Sequence, residues 1–129
     1  MKILAEISVG ELFDKITILK IKTQKIQDSE KLTNIKNELN FLNNQASNIN
    51  VKDKESLNKN INKLQSINEE LWDIENYKRD CEANKDFGEK FIELSRDVHF
   101  KNDIRAQIKK EINLLTDSTI VEEKEYSKY

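Results

Sequence analysis

Val98-His99-Phe100-Lys101-Asn102-Asp103-Ile104-Arg105-Ala106-Gln107-Ile108-Lys109-Lys110-Glu111-Ile112-Asn113 decides how this chain folds and where its chemistry lies. Upstream, Phe87, Phe91, Leu94 and Val98 recur at helical spacing, and downstream Ile108, Ile112 and Leu115 resume the same stripe. Between them the stripe is broken by Lys101, Asn102, Asp103 and Arg105. Polar groups on a core-facing seam cost stability unless they find partners. The interruption is therefore where function is sought, and the uninterrupted remainder is where the fold is read.

Working outward, the whole composition favours long amphipathic helices. Hydrophobic residues make up 36% of the 129, charged residues another 36%, and there are two glycines and no proline, so the usual helix breakers are nearly missing. The size suits one domain spanning residues 1–129. A net charge of −2 with both signs interspersed carries no basic footprint for nucleic acid. No apolar run approaches the ~20 residues of a membrane span, and Met1 to Glu6 lacks the h-region of a secretory signal. The single Cys81 cannot form an internal disulfide, so a cytoplasmic protein is expected.

Ser8-Val9-Gly10-Glu11 has the spacing of a capping box, with the serine oxygen taking a free N–H and the glutamate reaching back, and starts the first helix. Its apolar positions Val9, Leu12, Ile16, Leu19 and Ile26 are widened by Phe13, Ile18 and Ile21, which predicts a helix central to a bundle. After a break at Asp28-Ser29-Glu30, Leu32, Ile35, Leu39, Leu42, Ala46 and Ile49 keep a coiled-coil spacing. Ser47 to Lys54 reads as the polar tip of a helical hairpin, followed by an uninterrupted helix from Ser56 to Asn84 with Leu57, Ile61, Leu64, Ile67, Leu71, Ile74 and Cys81 on one face. At a 1.5 Å rise per residue that helix is roughly 40 Å long and should protrude with its neighbour. Asp86-Phe87-Gly88-Glu89 looks like a second capping box at the start of the fourth helix, which Thr116-Asp117-Ser118 ends. The loose alternation of Lys2 to Ile7 and the run Ser118 to Glu122 predict at most a minor two-stranded pairing of the termini. The expectation is an all-α fold of four helices with a protruding antiparallel hairpin of helices two and three, about residues 29–84.

The stretches Ser8 to Lys22, Leu71-Trp72-Asp73-Ile74-Glu75, Asn102-Asp103-Ile104-Arg105 with Lys109 and Ile112-Asn113, and Val121 to Tyr126 resemble a small bacterial family of unknown function, whose members are short stand-alone proteins. The likeness covers nearly the whole chain apart from the Asn-rich hairpin tip. It implies a shared fold and no chemistry, so the residues themselves must supply a reading.

Lys101, Arg105, Lys109 and Asn113 stand four apart in one helical column, which Asp97 and Glu93 extend. One reading is a solvated face laced by ion pairs such as Asp97 with Lys101. The sharper one turns Arg105 and Lys109 into a groove against helix one, where Lys15 and Lys22 join them around an anion, the guanidinium supplying a planar fork and each ammonium a point charge. Glu11, Asp14, Asn102, Asp103 and Asn113 complete a polar cluster across the bundle, with Glu11, Glu75 or Asp103 as acid or base if a reaction occurs. Trp72, Glu75, Arg79 and Glu82 share a face of helix three, where the tryptophan is either a stacking wall for a sugar or base, or a core aromatic with its indole N–H on Glu75. Glu11 with Asp14 and Glu70 with Asp73 have the E-x-x-D spacing of magnesium-binding helical pyrophosphatases, a spacing that carries little information in a chain so rich in Glu and Asp. Lys15, Arg79, Arg105 and Lys109 also suit a dicarboxylate site of the chorismate mutase type, by analogy of fold and charge alone. Helix N-termini at the two glycines invite an anion, but each carries a competing carboxylate, so capping and close packing are expected there. The lone His99 offers no zinc site, Cys81 reads as a small buried hydrophobe, and no P-loop, nucleotide fingerprint or Ser-His-Asp motif is present.

No metal and no cofactor are expected. The leading expectation is a non-enzymatic protein that self-associates or docks a protein partner through the regular hairpin seam, without nucleic acid or membrane. The alternative is a small anionic metabolite, such as a phosphorylated sugar or nucleotide, held in a charged pocket between helices.

Overall fold

Because no proline interrupts the chain, its apolar stripes run for many turns, and the computed structural model, which describes residues 1–129, contains four α-helices. They are α1 (Val9–Lys25), α2 (Ser29–Ala46), α3 (Lys54–Ala83) and α4 (Glu89–Leu115). The fold is all-α, as the periodicity requires. No helix is long and apolar enough to cross a membrane.

α1 is the central helix. It packs against each of the other three, and both of its apolar faces are used, with Leu12, Phe13, Ile16, Leu19 and Ile21 all buried. Leu12, Phe13 and Ile16 join Leu57, Leu64 and Ile67 of α3 and Ile108 and Ile112 of α4 in the main core. α3 and α4 form the long antiparallel pair, as the Lys101–Glu70 ion pair and the Lys78 ammonium over the Phe91 ring show. At 30 and 27 residues they span roughly 40–45 Å, against roughly 25 Å for α1. Their far end therefore extends beyond the core.

This corrects the expected pairing of helices two and three. No Cα of α2 lies within 8 Å of a Cα of α3; α2 instead folds back on α1 after the three-residue turn Ile26–Asp28. The stripe itself was read correctly, since Leu32, Ile35, Leu39, Leu42 and Ala46 are the shielded positions of an otherwise exposed helix. Leu39, Leu42, Ala46 and Ile49 pack against this chain's own core. A period identifies the buried face of a helix but not the helix that covers it.

The ends of the helices hold two further corrections. Ser8 caps α1, its Oγ accepting from the Glu11 N–H at 3.1 Å, but the Glu11 carboxylate turns away to α4 and does not reach back. At α4 there is no second capping box: the cap is Gly88 and no side chain serves it. Asp86 is committed to ending α3, where its N–H donates to Cys81 O at 2.8 Å and the Lys85 N–H to Glu82 O at 3.1 Å, with Lys85 at φ 52°. That is a Schellman turn with a lysine at the left-handed position. α4 ends in the same way through Asp117 at φ 51°, with the Ser118 N–H on Asn113 O at 2.9 Å. Neither Met1–Ile7 nor Ser118–Glu122 forms a strand. The termini meet through a side chain, the Val9 N–H donating to Ser118 Oγ at 3.1 Å.

The two glycines play different parts. A Cβ on Gly10 would meet Lys109 O at 2.5 Å and Asn113 Oδ1 at 3.0 Å, so α1 and α4 cross in backbone contact there. At Gly88 the nearest atom to such a Cβ is Asp86 Oδ1 at 3.4 Å. Gly10→Ala should therefore destabilise the protein by about 1–3 kcal/mol through overpacking, whereas Gly88→Ala meets no crowding and should cost at most about 1 kcal/mol, the difference between glycine and alanine as a cap. Urea unfolding followed by circular dichroism separates the two, and equal effects would place the crossing elsewhere.

Candidate functional site

The close crossing at Gly10 brings the first turn of α1 against the last two turns of α4. The Gly10 N–H donates to Asn113 Oδ1 at 2.7 Å, and the Leu12 N–H to Ser8 O at 3.1 Å. With Ser118 on Val9 and Ser8 on Glu11, the free donors of the helix start are all taken. No anion is needed there, in line with the capping and packing expected from the sequence.

One turn along, the Lys109 ammonium is sealed between the helices with its side chain 7% exposed. It donates to Glu11 Oε2 at 2.7 Å, lies 3.4 Å from Glu122 Oε2 of the C-terminal segment, and 3.6 Å from Asp14 Oδ2. Asp14, 4% exposed, takes its other bond from Asn68 Nδ2 at 2.9 Å, and the same amide donates to Thr17 Oγ1 at 2.9 Å. Thr17 in turn donates to the Asp14 carbonyl at 2.9 Å. Every buried polar atom of this network has a partner.

Burial is the largest influence on Lys109 and would lower its pKa. The hydrogen bond to Glu11 and the charges of Asp14, Glu11 and Glu122 together outweigh it, so the ammonium titrates above its ordinary 10.5. Glu122 is held below its ordinary 4.5, first by its bond from Lys124 at 2.6 Å and then, against the cost of burial, by the charge of Lys109.

The predicted residues divide into three groups. Arg105, Lys109, Glu11, Asp14 and Asn113 do meet across the bundle. Lys15 touches the cluster from outside, 3.8 Å from Glu11 with its side chain 46% exposed. Lys22, near the end of α1, lines none of the larger surface cavities and pairs with no carboxylate. Asn102 and Asp103 are exposed on another side of α4, where Asp103 accepts a hydrogen bond from the Tyr129 hydroxyl. Glu75 is exposed and does not hold the indole of Trp72, which is half-buried. Glu11, Asp14 and Glu122 each approach the Lys109 ammonium, and they are not placed together as a metal site. Glu70 is spent on Lys101 at 2.9 Å.

Sequence reasoning passed over Asn68, Thr17, Ser118 and Glu122. Asn68 lies on the Leu64, Ile67, Leu71 face of α3, and that position was the available signal. Ser118 and Glu122 lie in a segment without periodicity.

Arg105 differs from Lys109. Its one ion pair is to Asp14 Oδ2 at 3.6 Å, and its side chain is 32% exposed. It opens onto a cavity of about 650 Å³ between α4 and the C-terminal segment, walled by Asn102, Asp103 and His99 on one side and Lys124, Tyr126 and Tyr129 on the other. Tyr129 packs edge-on against His99 and Phe100, with centroids 5.2 and 5.0 Å apart. Lys15, Arg105, Lys109 and Lys124 surround Glu11, Asp14 and Glu122, which leaves one positive charge in excess.

Over residues 1–129 the chain matches the model of a family described as Family of unknown function (DUF6165). The chain belongs to this family. No curated protein and no solved structure matches it. The family carries no assigned chemistry, so the charge distribution around α4 is the ground for a functional reading.

Removing the Lys109 ammonium takes the central cation from buried Asp14 and half-buried Glu11, which keep only the longer contacts to Arg105 at 3.6 Å and Lys15 at 3.8 Å, so Lys109→Met should cost about 3 kcal/mol at neutral pH. Because the folded-state pKa is raised, the contribution of Lys109 is full below its unfolded value of 10.5 and is lost as pH rises through the folded value. Urea unfolding between pH 8 and about 11.5 should show an alkaline loss of stability in the wild type that is smaller in Lys109→Met. Matching slopes would mean that the ammonium is paired equally in the unfolded chain.

Proposed function

We propose that this protein binds a small anionic metabolite, of the class of phosphorylated sugars and nucleotides, in the cavity between α4 and the C-terminal segment. Arg105 is the anion-contacting residue and Lys124 the second cation. The observation that carries this reading is the contrast within one helical column. Lys109 is closed off by three carboxylates, whereas the guanidinium one turn before it has a single long ion pair and faces open space. A planar fork with five donors suits a phosphate or carboxylate, and a cavity of about 650 Å³ falls in the range of small-molecule pockets. Asn102 and Asp103 offer a donor and an acceptor for hydroxyl groups, and the rings of His99, Tyr126 and Tyr129 offer apolar wall.

Binding is supported better than turnover. Glu11 is tied to Lys109, and Asp103 to Tyr129, so neither is free as acid or base. The α2 seam that suggested docking of a second copy or another protein packs on α1 and the core, which removes the motive for a partner at that surface.

A ligand that binds only the folded chain raises its melting temperature. Glucose 6-phosphate, UMP and inorganic phosphate at millimolar concentration should do so for the wild type. Arg105→Ala should weaken binding in calorimetry by roughly 10- to 100-fold, the effect of losing a charge-assisted fork. The same substitution should change stability by less than about 1 kcal/mol, because the ion pair it removes is long and partly exposed. A wild type that none of the three ligands shifts would sink the proposal.

A further inference from the structure

Arg105 also borders a second cleft, of about 470 Å³, whose floor is Ile18 and Ile21 of α1 with Leu71 of α3. Its rim is Trp72, Glu75, Asn76 and Arg79, one face of α3 at helical spacing. Glu75 and Arg79 stand four residues apart in the order that favours an ion pair on a helix. They nevertheless form none, and both side chains are exposed. The indole N–H of Trp72 and the amide of Asn76 are likewise free of any bond within the protein. A half-buried tryptophan over an apolar floor is thus ringed by an acceptor carboxylate, an amide and two guanidinium groups.

We infer that this cleft is a carbohydrate site that takes a pyranose carrying one negative charge. A pyranose has a C–H face that lies against an aromatic ring and a rim of hydroxyls that need donors and acceptors together. Trp72 supplies the ring, with an N–H donor at its edge. Glu75 accepts from a pair of hydroxyls and Asn76 both accepts and donates. Arg79 has no ion-pair partner within the chain, and its guanidinium selects a carboxylate or phosphate on the sugar over a neutral hexose. A purely electrostatic anion hole would not need the tryptophan. A purely apolar pocket would not leave an unpaired Glu75 beside an unpaired Arg79.

Trp72 is the only tryptophan of the chain, so its emission reports on this cleft directly. D-glucuronate titrated into the full-length protein should change the Trp72 emission saturably, with saturation-transfer NMR showing contact to the ring protons of the sugar. Neutral glucose should bind roughly tenfold more weakly, and Arg79→Ala should weaken glucuronate by a similar factor, as expected for one charge-assisted contact. Lys124→Ala, which alters the cavity under the C-terminal segment, should leave the glucuronate titration unchanged. No response in either measurement up to about 50 mM, well beyond millimolar affinity, overturns the inference. So does an unchanged affinity in Arg79→Ala with native circular dichroism, an equal response to inorganic phosphate alone, or tighter binding of UMP than of glucuronate at Trp72, which would make the cleft a base pocket.

Discussion

A lysine ammonium buried between two helices fixes the arrangement of everything around it. Taking Lys109 and its partners out of water costs several kcal/mol per ion, and only good geometry recovers it. The recovery comes from separate parts of the chain: Glu11 and Asp14 one turn apart on α1, and Glu122 in the C-terminal segment. An apolar stripe such as Ile108 and Ile112 on Leu12 and Ile16 would tolerate a slip of one turn with modest loss. The ammonium would not, because a slip would leave it and the Asp14 carboxylate buried without each other. Gly10 makes the geometry attainable by letting the helices cross in backbone contact, and Asn113 then holds the Gly10 N–H. The apolar core drives association; the polar contacts choose its register.

The same network organises a region with no regular structure. Residues after Leu115 form no helix or strand, yet Ser118 bonds to Val9 and Glu122 reaches Lys109, while Tyr129 returns to α4 at Asp103. The segment crosses α4 and roofs the cavity beside Arg105. It is tied by polar contacts and by little apolar burial, since Ile120, Val121, Tyr126 and Tyr129 are exposed. Segments held in this way open at lower free energy than the core. That suits the wall of the proposed ligand cavity.

The helices were legible because burial follows a 3.6-residue period whatever the partner, and α1 was legible as central because its stripe was too wide for one neighbour. The pairing of α2 was not, since α1 and α3 present equally apolar faces and the period is silent between them. The second capping box failed for a related reason. Asp86 has the residue type of a cap, but its backbone closes α3 and its carboxylate takes the Gly88 N–H at 3.2 Å, which leaves Gly88 as the cap residue of α4. Within the site, the broken seam at Lys101 and Arg105 pointed to the right helix face. Lys109 and Asn113 proved the buried members, while Asn102 and Asp103 lie off the face that meets α1. Asn68 was hidden by composition, because in an Asn-rich chain one more asparagine draws no notice unless its place on the Leu64 to Leu71 face is weighed first.

A structural polar network and a binding site are distinguished by whether their hydrogen-bonding capacity is used up. Around Lys109, Asp14 and Thr17 it is, and that part of the cluster belongs to the fold. One turn away it is not: Arg105 has five donors and one long ion pair, and Trp72, Glu75, Asn76 and Arg79 have no partners within the chain. Exposed side chains on a helix often pair at four-residue spacing because doing so costs little. Glu75 and Arg79 stand at that spacing and stay apart across a cleft with an apolar floor. Solvation alone gives such a cluster no reason to gather around a tryptophan and a second arginine from another helix. The closed network holds α1 and α4 against one another, and the open groups lie on its borders, where the same backbone holds them in place.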